Sequence, residues 1–248
     1  MNVLRSMIVG TVLTLAPISM AMAQVDEGAK AILQESAKAI KESNGITFKA
    51  KRSATGVLKD LIDSSGTVKV LRNAQLRAPY YQIDGRIAQP GKQDKKVMLM
   101  ADGTNVQWLD WDKNLLYERP YADKDGATQM KGSNQILLSV FTDIEPFQKD
   151  MTASKIERLG NETIGGEVCD LVGVSSNPNS KVIWAISAID RLPRKWSQMS
   201  GEGEKAFGMM VEMTELKTTA MTPKTFEIAL PTNFTKDLYK PCLLYTSP

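Results

Sequence analysis

The sequence contains no histidine and only two cysteines among its 248 residues. Without histidine, the Ser-His-Asp and Cys-His catalytic arrangements and histidine-ligated zinc sites are excluded, and so is the commonest general base. The formal net charge of +3 is too small over this length to indicate a nucleic-acid partner. Apolar residues make up 42% of the chain and charged residues 24%, as in an ordinary folded protein. Composition alone does not indicate the function, but the absence of histidine favours a binding protein over an enzyme, and we expect no cofactor and no bound metal.

Long apolar runs are also missing, except at the N-terminus. Residues 1–23 combine Arg5, an apolar run and an A-x-A pattern at 21–23, which together are typical of a cleaved secretory signal peptide. The alternative, a membrane anchor, needs about 20 apolar residues to cross a bilayer, and this run is shorter. The pattern predicts a periplasmic mature protein that begins at Gln24.

The last seven residues, 242–248, resemble the translation of a sequencing-library adaptor rather than a protein terminus. We expect residues 24–241 to form a single native domain, the alternative being that the tail is genuine. An oxidising compartment would favour a Cys169–Cys242 disulfide if both cysteines were native. With Cys242 excluded, Cys169 is predicted to be a small buried hydrophobe, because no histidine is present to activate it.

Two segments have the spacing of amphipathic helices. Residues 26–41 place apolar side chains on one face, and Asn44-Gly45 follows as a stop signal. Residues 133–145 show a second apolar stripe with Ser133 as the predicted N-cap. We expect this second helix to act as a lid, or as a fixed cover, through the following residues: Ile136, Leu137, Val140, Phe141 and Ile144.

The remainder of the chain alternates with period two, which predicts about nine to eleven antiparallel strands. Asp102-Gly103 and Gly165-Gly166 are the clearest hairpin signals, and the last strands are placed at 225–228 and 231–234. A sheet of that size must curl to cover its apolar face. The fold class predicted is α+β: a strongly curved antiparallel sheet, an open half-barrel, with helices covering the concave face.

Three further segments resemble the LolA/LolB-like superfamily of periplasmic lipoprotein carriers, and more closely a family of predicted periplasmic proteins of unknown function. They are a proline-led strand followed by an Asp-Gly hairpin (78–84 and 100–108), a Gly-Gly-Glu-Val-Cys strand (165–171), and two strands joined by Leu-Pro-Arg-Lys (182–195). With the closing segment 226–234, the resemblance spans most of residues 26–236.

The resemblance implies an open barrel with a helical lid over a hydrophobic cavity. It also implies an arginine, just after the proline-led segment, that latches the lid. Here that region has no arginine before Arg86, which favours a relative with a different ligand or role.

Methionine and tryptophan side chains suit varied acyl chains, because they adapt in shape and offer large apolar surfaces. We therefore predict an apolar cavity lining, with an ordinary packed core as the alternative for part of it. The predicted lining residues are Met98, Met100, Trp108, Trp184, Ile186, Trp196, Phe207, Met209, Val211 and Met213.

Residues 110–114, Asp-Trp-Asp-Lys-Asn, resemble the start of a calcium-binding loop. Leu115 and Tyr121 stand where such a loop needs glycine and glutamate, so a hairpin turn is expected instead.

The sequence thus predicts a monomeric periplasmic carrier that binds a hydrophobic small molecule or an acylated protein in a half-barrel cavity. It would deliver this cargo to an envelope membrane protein. The alternative is a regulatory or scaffolding module of the same fold that contacts a partner protein.

Overall fold

The computed structural model describes residues 24–59, 63–72, 79–88, 91, 93–121, 136–201, 203–227 and 230–238. The predicted signal peptide and the C-terminal tail with Cys242 lie outside these residues. Within the described ranges, no helix is long and apolar enough to cross a membrane.

A single sheet dominates the fold and contains thirteen strands in the described residues. Their bounds are β1 Gln24–Val25, β2 Gly45–Gly56, β3 Asp63–Leu71, β4 Tyr80–Ala88, β5 Lys95–Asp102, β6 Asn105–Asp110, β7 Leu115–Pro120, β8 Lys155–Ile164, β9 Glu167–Asn177, β10 Ser180–Ser187, β11 Pro193–Ser200, β12 Phe207–Thr218 and β13 Thr235–Leu238.

The sheet is built from two antiparallel meanders. Strands β2 to β7 form one and β8 to β12 the other, and the pairing of β12 with β2 joins them. The two outermost strands, β1 and β13, run parallel to β8 and β7. The edge strands β1 and β13 occupy opposite ends of the order, so the sheet is not closed, and the predicted open half-barrel is confirmed. The strand count differs from the prediction, since thirteen strands are present in the described residues rather than nine to eleven, and the two outermost are parallel to their neighbours.

Both predicted hairpins are present. Gly103 adopts a φ of 82° between β5 and β6, and Asp102 accepts hydrogen bonds from the backbone N–H groups of Thr104 and Asn105 at 2.9 and 2.7 Å. Gly165 and Gly166 both have positive φ between β8 and β9, a conformation that glycine adopts without steric cost. The turn between β6 and β7 is likewise a hairpin turn, capped by Asp110.

The end of the chain differs from the prediction. Pro223–Phe226 forms a 3₁₀ turn rather than a strand at 225–228, and the last strand begins at Thr235 rather than at 231. Proline fixes φ and lacks a ladder donor, and the side chain of Thr225 accepts from the N–H of Thr222, which stabilises the turn.

Helix α1 (Glu27–Glu42) confirms the first predicted helix. The Asp26 carboxylate caps it by accepting from the backbone N–H groups of Gly28 and Ala29 at 2.8 and 3.1 Å. Arg191 ties the helix to the sheet, since its guanidinium lies 2.9 Å from Glu35 on α1 and 2.8 Å from Asp170 on β9. The helix buries its apolar face against the concave side of the sheet.

The second predicted helix is wrong for the residues that the structure describes. In place of a helix to residue 145, Ser139–Phe141 forms one 3₁₀ turn, and a short helix α2 (Gln148–Met151) follows Pro146. Ser133 lies outside the described residues. We refer to residues 136–151 as the cover segment. Its buried apolar side chains join the main core of the sheet. This tertiary packing outweighs helical spacing in a stretch that contains the poor helix formers Thr142 and Asp143.

Strong curvature explains two glycines at the middle of the sheet. Gly66 on β3 faces Gly85 on β4, and a Cβ on Gly66 would lie 2.4 Å from the carbonyl oxygen of Asp84 and 2.6 Å from the Gly85 Cα. Any side chain at Gly66 would therefore force the two strands apart. The close approach of β3 and β4 depends on this position.

Candidate functional site

The concave face of the sheet holds eight of the ten predicted lining residues. Cross-strand register places Trp184, Trp196 and Val211 in one row from β10 to β12, and Leu99, Trp108 and Tyr117 in another from β5 to β7. Met98 and Met100 are exceptions, because they alternate with Leu99 and therefore lie on the convex face. There, Met98 packs against Leu109, Leu116 and Phe234, and Met100 against Leu71, Met221 and Phe226.

The eight concave residues divide into two groups by burial. Trp184, Ile186, Val211 and Met213 are buried in the main core beneath α1 and the cover segment. The other four keep part of their surface accessible: Trp108, Trp196, Phe207 and Met209. The four buried residues belong to the main core, whereas the half-buried group leaves apolar surface exposed on the concave face.

The cover segment is anchored by two aromatic contacts. The ring centroid of Phe141 lies 5.0 Å from that of Phe48 on β2, and the Phe147 ring meets Trp184 edge-on at 4.9 Å. Ile136, Val140 and Phe141 are buried, Leu137 is half-buried, and Ile144 is 68% exposed. Four of the five predicted lid residues thus contact the core, and in the described part of the chain they lie in or beside a 3₁₀ turn rather than in an α-helix.

Arg72, which follows β3, holds the cover segment. The resemblance implies that an arginine after the proline-led segment has this role. The Nη1 of Arg72 donates to the carbonyl of Phe141 at 3.1 Å and its Nη2 to the carbonyl of Asp143 at 3.0 Å. Arg86, the first arginine after the proline-led segment, is exposed and lies on the convex face of β4. An arginine therefore does hold the cover segment, but from a position before the proline-led segment rather than after it.

A cleft of about 190 Å³ opens where the cover segment meets the first meander. Tyr81, Ile83 and Leu99 line its floor, and Leu137, Ser139 and Thr142 line the opposite wall. Burial raises the pKa of Tyr81, and its hydroxyl has no hydrogen-bond partner within the described part of the chain. The cleft combines an apolar floor with one unpaired polar group.

Arg52 on β2 is a concave residue that sequence reasoning missed. Arg52 follows Phe48 and Ala50 at intervals of two residues, so its side chain lies on the same concave face. It is only 7% exposed and packs between Val211 and Ser64 on the neighbouring strands. Burial lowers the pKa of Arg52. The sequence did contain a signal for this residue, since Arg52 occupies a position of β2 at which the alternation predicts an inward-facing apolar side chain.

Cys169 is free and fully buried on the convex side, in a small cluster with Ile164 and Ala185. Burial, the largest influence, raises the pKa of its thiol, so the reactive thiolate is disfavoured. This agrees with the prediction of a buried apolar cysteine.

Asp150 on α2 makes the attachment of the cover segment sensitive to pH. Burial raises the pKa of Asp150 to about 6, against the opposing effects of the Trp184 indole N–H and of Lys149. Asp150 therefore binds a proton more readily in the folded than in the unfolded state between about pH 4 and 6, and its own contribution to stability falls as pH rises through this window. We expect Asp150→Asn to raise the melting temperature at pH 7.5 and to leave it nearly unchanged at pH 4. Thermal denaturation at both values checks this, with Asp112→Asn in the exposed β6–β7 turn as the control; equal shifts at the two pH values would contradict it.

Comparison with known proteins supports the fold and the family. No curated protein matches the sequence significantly. An uncharacterized conserved protein from Thermus thermophilus has a similar structure, with 13% identity, coverage of 86% of this chain and 99% of that chain, and a TM-score of 0.51. MucB is similar with 12% identity, coverage of 82% of this chain and 63% of MucB, and a TM-score of 0.51.

The LolA superfamily protein NE2245 from Nitrosomonas europaea also matches, at 10% identity over 81% of this chain and 97% of that chain, with a TM-score of 0.35. The sequence profile of one family, described as predicted periplasmic protein (DUF2092), matches residues 29–236. This range contains nearly all of α1, the cover segment and nearly the whole sheet. The chain therefore belongs to the DUF2092 family of periplasmic proteins.

Proposed function

We propose that the protein binds the hydrocarbon chain of a lipid, or of an acylated protein, on the concave face beside the cover segment. The observation that carries this proposal is the half-buried apolar surface formed by Trp196, Phe207 and Met209, together with Val182 on β10. Side chains of this size gain substantially from further burial, at about 25 cal/mol per Å² of apolar surface. A hydrocarbon chain supplies that burial without requiring polar partners.

The cover segment supports the same proposal. Its anchors include two aromatic contacts, the carbonyl bonds from Arg72 and an ion pair between Glu145 and Lys41 on α1. A segment held in this way can detach and return without unfolding the sheet beneath it. Loading and release of a ligand need a movable cover of this kind.

A fluorescent fatty-acid probe tests the proposal, because its emission rises when the probe leaves water. We expect the wild-type protein to enhance the emission, and Val182→Asp to weaken binding about tenfold, because a carboxylate on the concave face must be desolvated beside the chain. The matched control is Met199→Asp, on the convex face of β11 and 48% exposed, which should bind as the wild type does. Absence of enhancement by the wild type, or equal binding by the two variants, would contradict the proposal.

A second candidate function is contact with a partner protein. MucB, whose fold is similar, forms a complex with MucA in Pseudomonas aeruginosa. Co-purification of a stoichiometric envelope protein with lipid-free material would favour this second function.

A further inference from the structure

Arg52 and Ser64 form an unusual polar pair within the apolar concave face. They are directly opposed residues of β2 and β3, so their side chains lie on the same face with Cβ atoms about 5 Å apart. Both are buried, with Arg52 7% and Ser64 2% exposed. The pair sits at the seam between the two meanders, next to Val211 and Met209 of β12.

Neither side chain has the partner that its chemistry requires. The one hydrogen bond of the Arg52 guanidinium within the described chain runs from Nη2 to the Met209 Sδ at 3.0 Å, and a thioether is a neutral, weak acceptor. No carboxylate among the described residues lies within ion-pair distance of Arg52. The hydroxyl of Ser64 is buried without a hydrogen-bond partner among them.

This arrangement is costly for the protein alone. Desolvating a guanidinium without a counter-charge is unfavourable, and an unpaired buried hydroxyl adds to that cost. Arg194, also buried, shows the usual solution, since it is paired with Glu167 and Asp190 at 2.8 and 2.7 Å. A site that keeps a buried cation unpaired is prepared for an anion from outside the chain.

We propose that Arg52 and Ser64 bind the terminal oxyanion of an acyl-chain ligand, whose hydrocarbon chain lies along the half-buried apolar residues of β10 to β12. This proposal rests on the proposed function and specifies its ligand class: a long-chain amphiphile ending in a carboxylate or phosphate. The planar guanidinium donates two parallel N–H groups to such an oxyanion, and the Ser64 hydroxyl supplies a third donor.

The neighbouring surface fits this assignment. Trp196 lies in the same cross-strand row as Arg52, separated from it by Val211. Met209 is in the next position along β12 on the concave face, opposite Gln198. An anionic end group at Arg52 therefore places the first part of its chain against Trp196 and Met209.

Titration calorimetry on the delipidated protein tests the proposal with four probes: palmitate, hexadecyl phosphate, 1-hexadecanol and inorganic phosphate. The first three have the same chain length and differ in the end group, and the fourth has no chain. We expect the wild type to bind palmitate or hexadecyl phosphate about tenfold to a hundredfold more tightly than hexadecanol, and inorganic phosphate weakly. The relative affinity of the two anionic amphiphiles distinguishes a fatty-acid carboxylate from a lipid phosphate.

Arg52→Met keeps much of the length of the side chain and removes the charge. We expect it to abolish the preference for the anionic amphiphiles and leave hexadecanol binding unchanged. Without ligand its melting temperature should rise by roughly 2–4 °C, because an unpaired buried charge has been removed. A merely structural arginine would show the opposite, a loss of stability with no change in end-group preference.

Ser64→Ala provides an independent variant, with Ser65→Ala on the opposite face of β3 as its matched control. We expect the first to reduce the preference severalfold and the second to have no effect. Retention of the full preference by Arg52→Met, or binding of inorganic phosphate as tight as that of palmitate, would overturn the proposal while leaving the proposed function intact. If the wild type binds none of the three amphiphiles, the proposed function fails and this inference fails with it.

Discussion

Phe141→Ala is expected to lower the free energy of unfolding by about 3 kcal/mol and to release the cover segment from the sheet. Phe141 is fully buried, packs against Phe48, and its carbonyl accepts from Arg72. Truncation of a buried phenylalanine costs about 3–5 kcal/mol through lost apolar contact and the cavity left behind. We take the lower end because a segment anchored at several points can partly collapse into the space. Urea denaturation followed by tryptophan fluorescence measures the change.

Hydrogen exchange identifies where this stability is lost. The backbone N–H groups of Phe141, Thr142 and Asp143 are bonded within the 3₁₀ turn, and in the variant they should exchange much faster while the strands remain protected. Ile144→Ala is the matched control, because Ile144 belongs to the same predicted apolar stripe but is 68% exposed. It should change stability by less than about 0.5 kcal/mol. Similar losses in both variants would show that Phe141 does not anchor the segment.

Arg194→Met should destabilise the second meander by about 3 kcal/mol at neutral pH. Its side chain is 5% exposed, donates twice to Glu167 Oε2 at 2.8 and 3.1 Å, and also donates to Asp190 at 2.7 Å and to the Leu192 carbonyl at 3.2 Å. Removing one partner of a buried ion pair typically costs about 3–5 kcal/mol, because the remaining charges lose their compensation. The two carboxylates are at least one-third exposed, so water offsets part of this loss.

Chemical denaturation of Arg194→Met and of Lys49→Met compares the loss of unfolding free energy at a buried ion pair with that at an exposed one. Lys49 and Glu215 lie 2.6 Å apart with more than half of each side chain exposed, and exposed pairs contribute about 0–1 kcal/mol. We expect a small effect for Lys49→Met and a large one for Arg194→Met. If the two are equal, the cluster around Arg194 is not a structural centre of the meander.

The strands and α1 were predictable because their signals are local. Period-two alternation, Asp-Gly and Gly-Gly turns, and an aspartate before a period of 3.6 each act over a few residues. The cover segment was not predictable in the same way. Its apolar spacing fits a helix, but Ile136, Val140 and Phe141 pack into a core formed by strands from distant parts of the chain.

The site was predicted less completely, for two physical reasons. Alternation within β5 separates Leu99 from Met98 and Met100, but only the register with β6 shows that Leu99 shares a face with Trp108. The inward orientation of Arg52 was predictable, since it follows Phe48 and Ala50 on β2 at intervals of two residues. Whether Arg52 meets a counter-charge depends on the residues that β3 and β12 place beside it. The pairing of β12 with β2 is not indicated by any local sequence pattern.

The β12–β2 seam has a further consequence for how the molecule assembles. Each meander consists of hairpins between consecutive strands, which close short loops, whereas Arg52 and Met209 meet across 157 residues. Long loops close slowly because their entropy is lost before contacts compensate it. We therefore expect the seam to form last in folding, so that Arg52 stays hydrated until the final step. A ligand anion at Arg52 would then slow the opening of the seam without accelerating formation of the earlier hairpins. It would therefore lower the unfolding rate more than it raises the folding rate, and so lengthen the lifetime of the folded state.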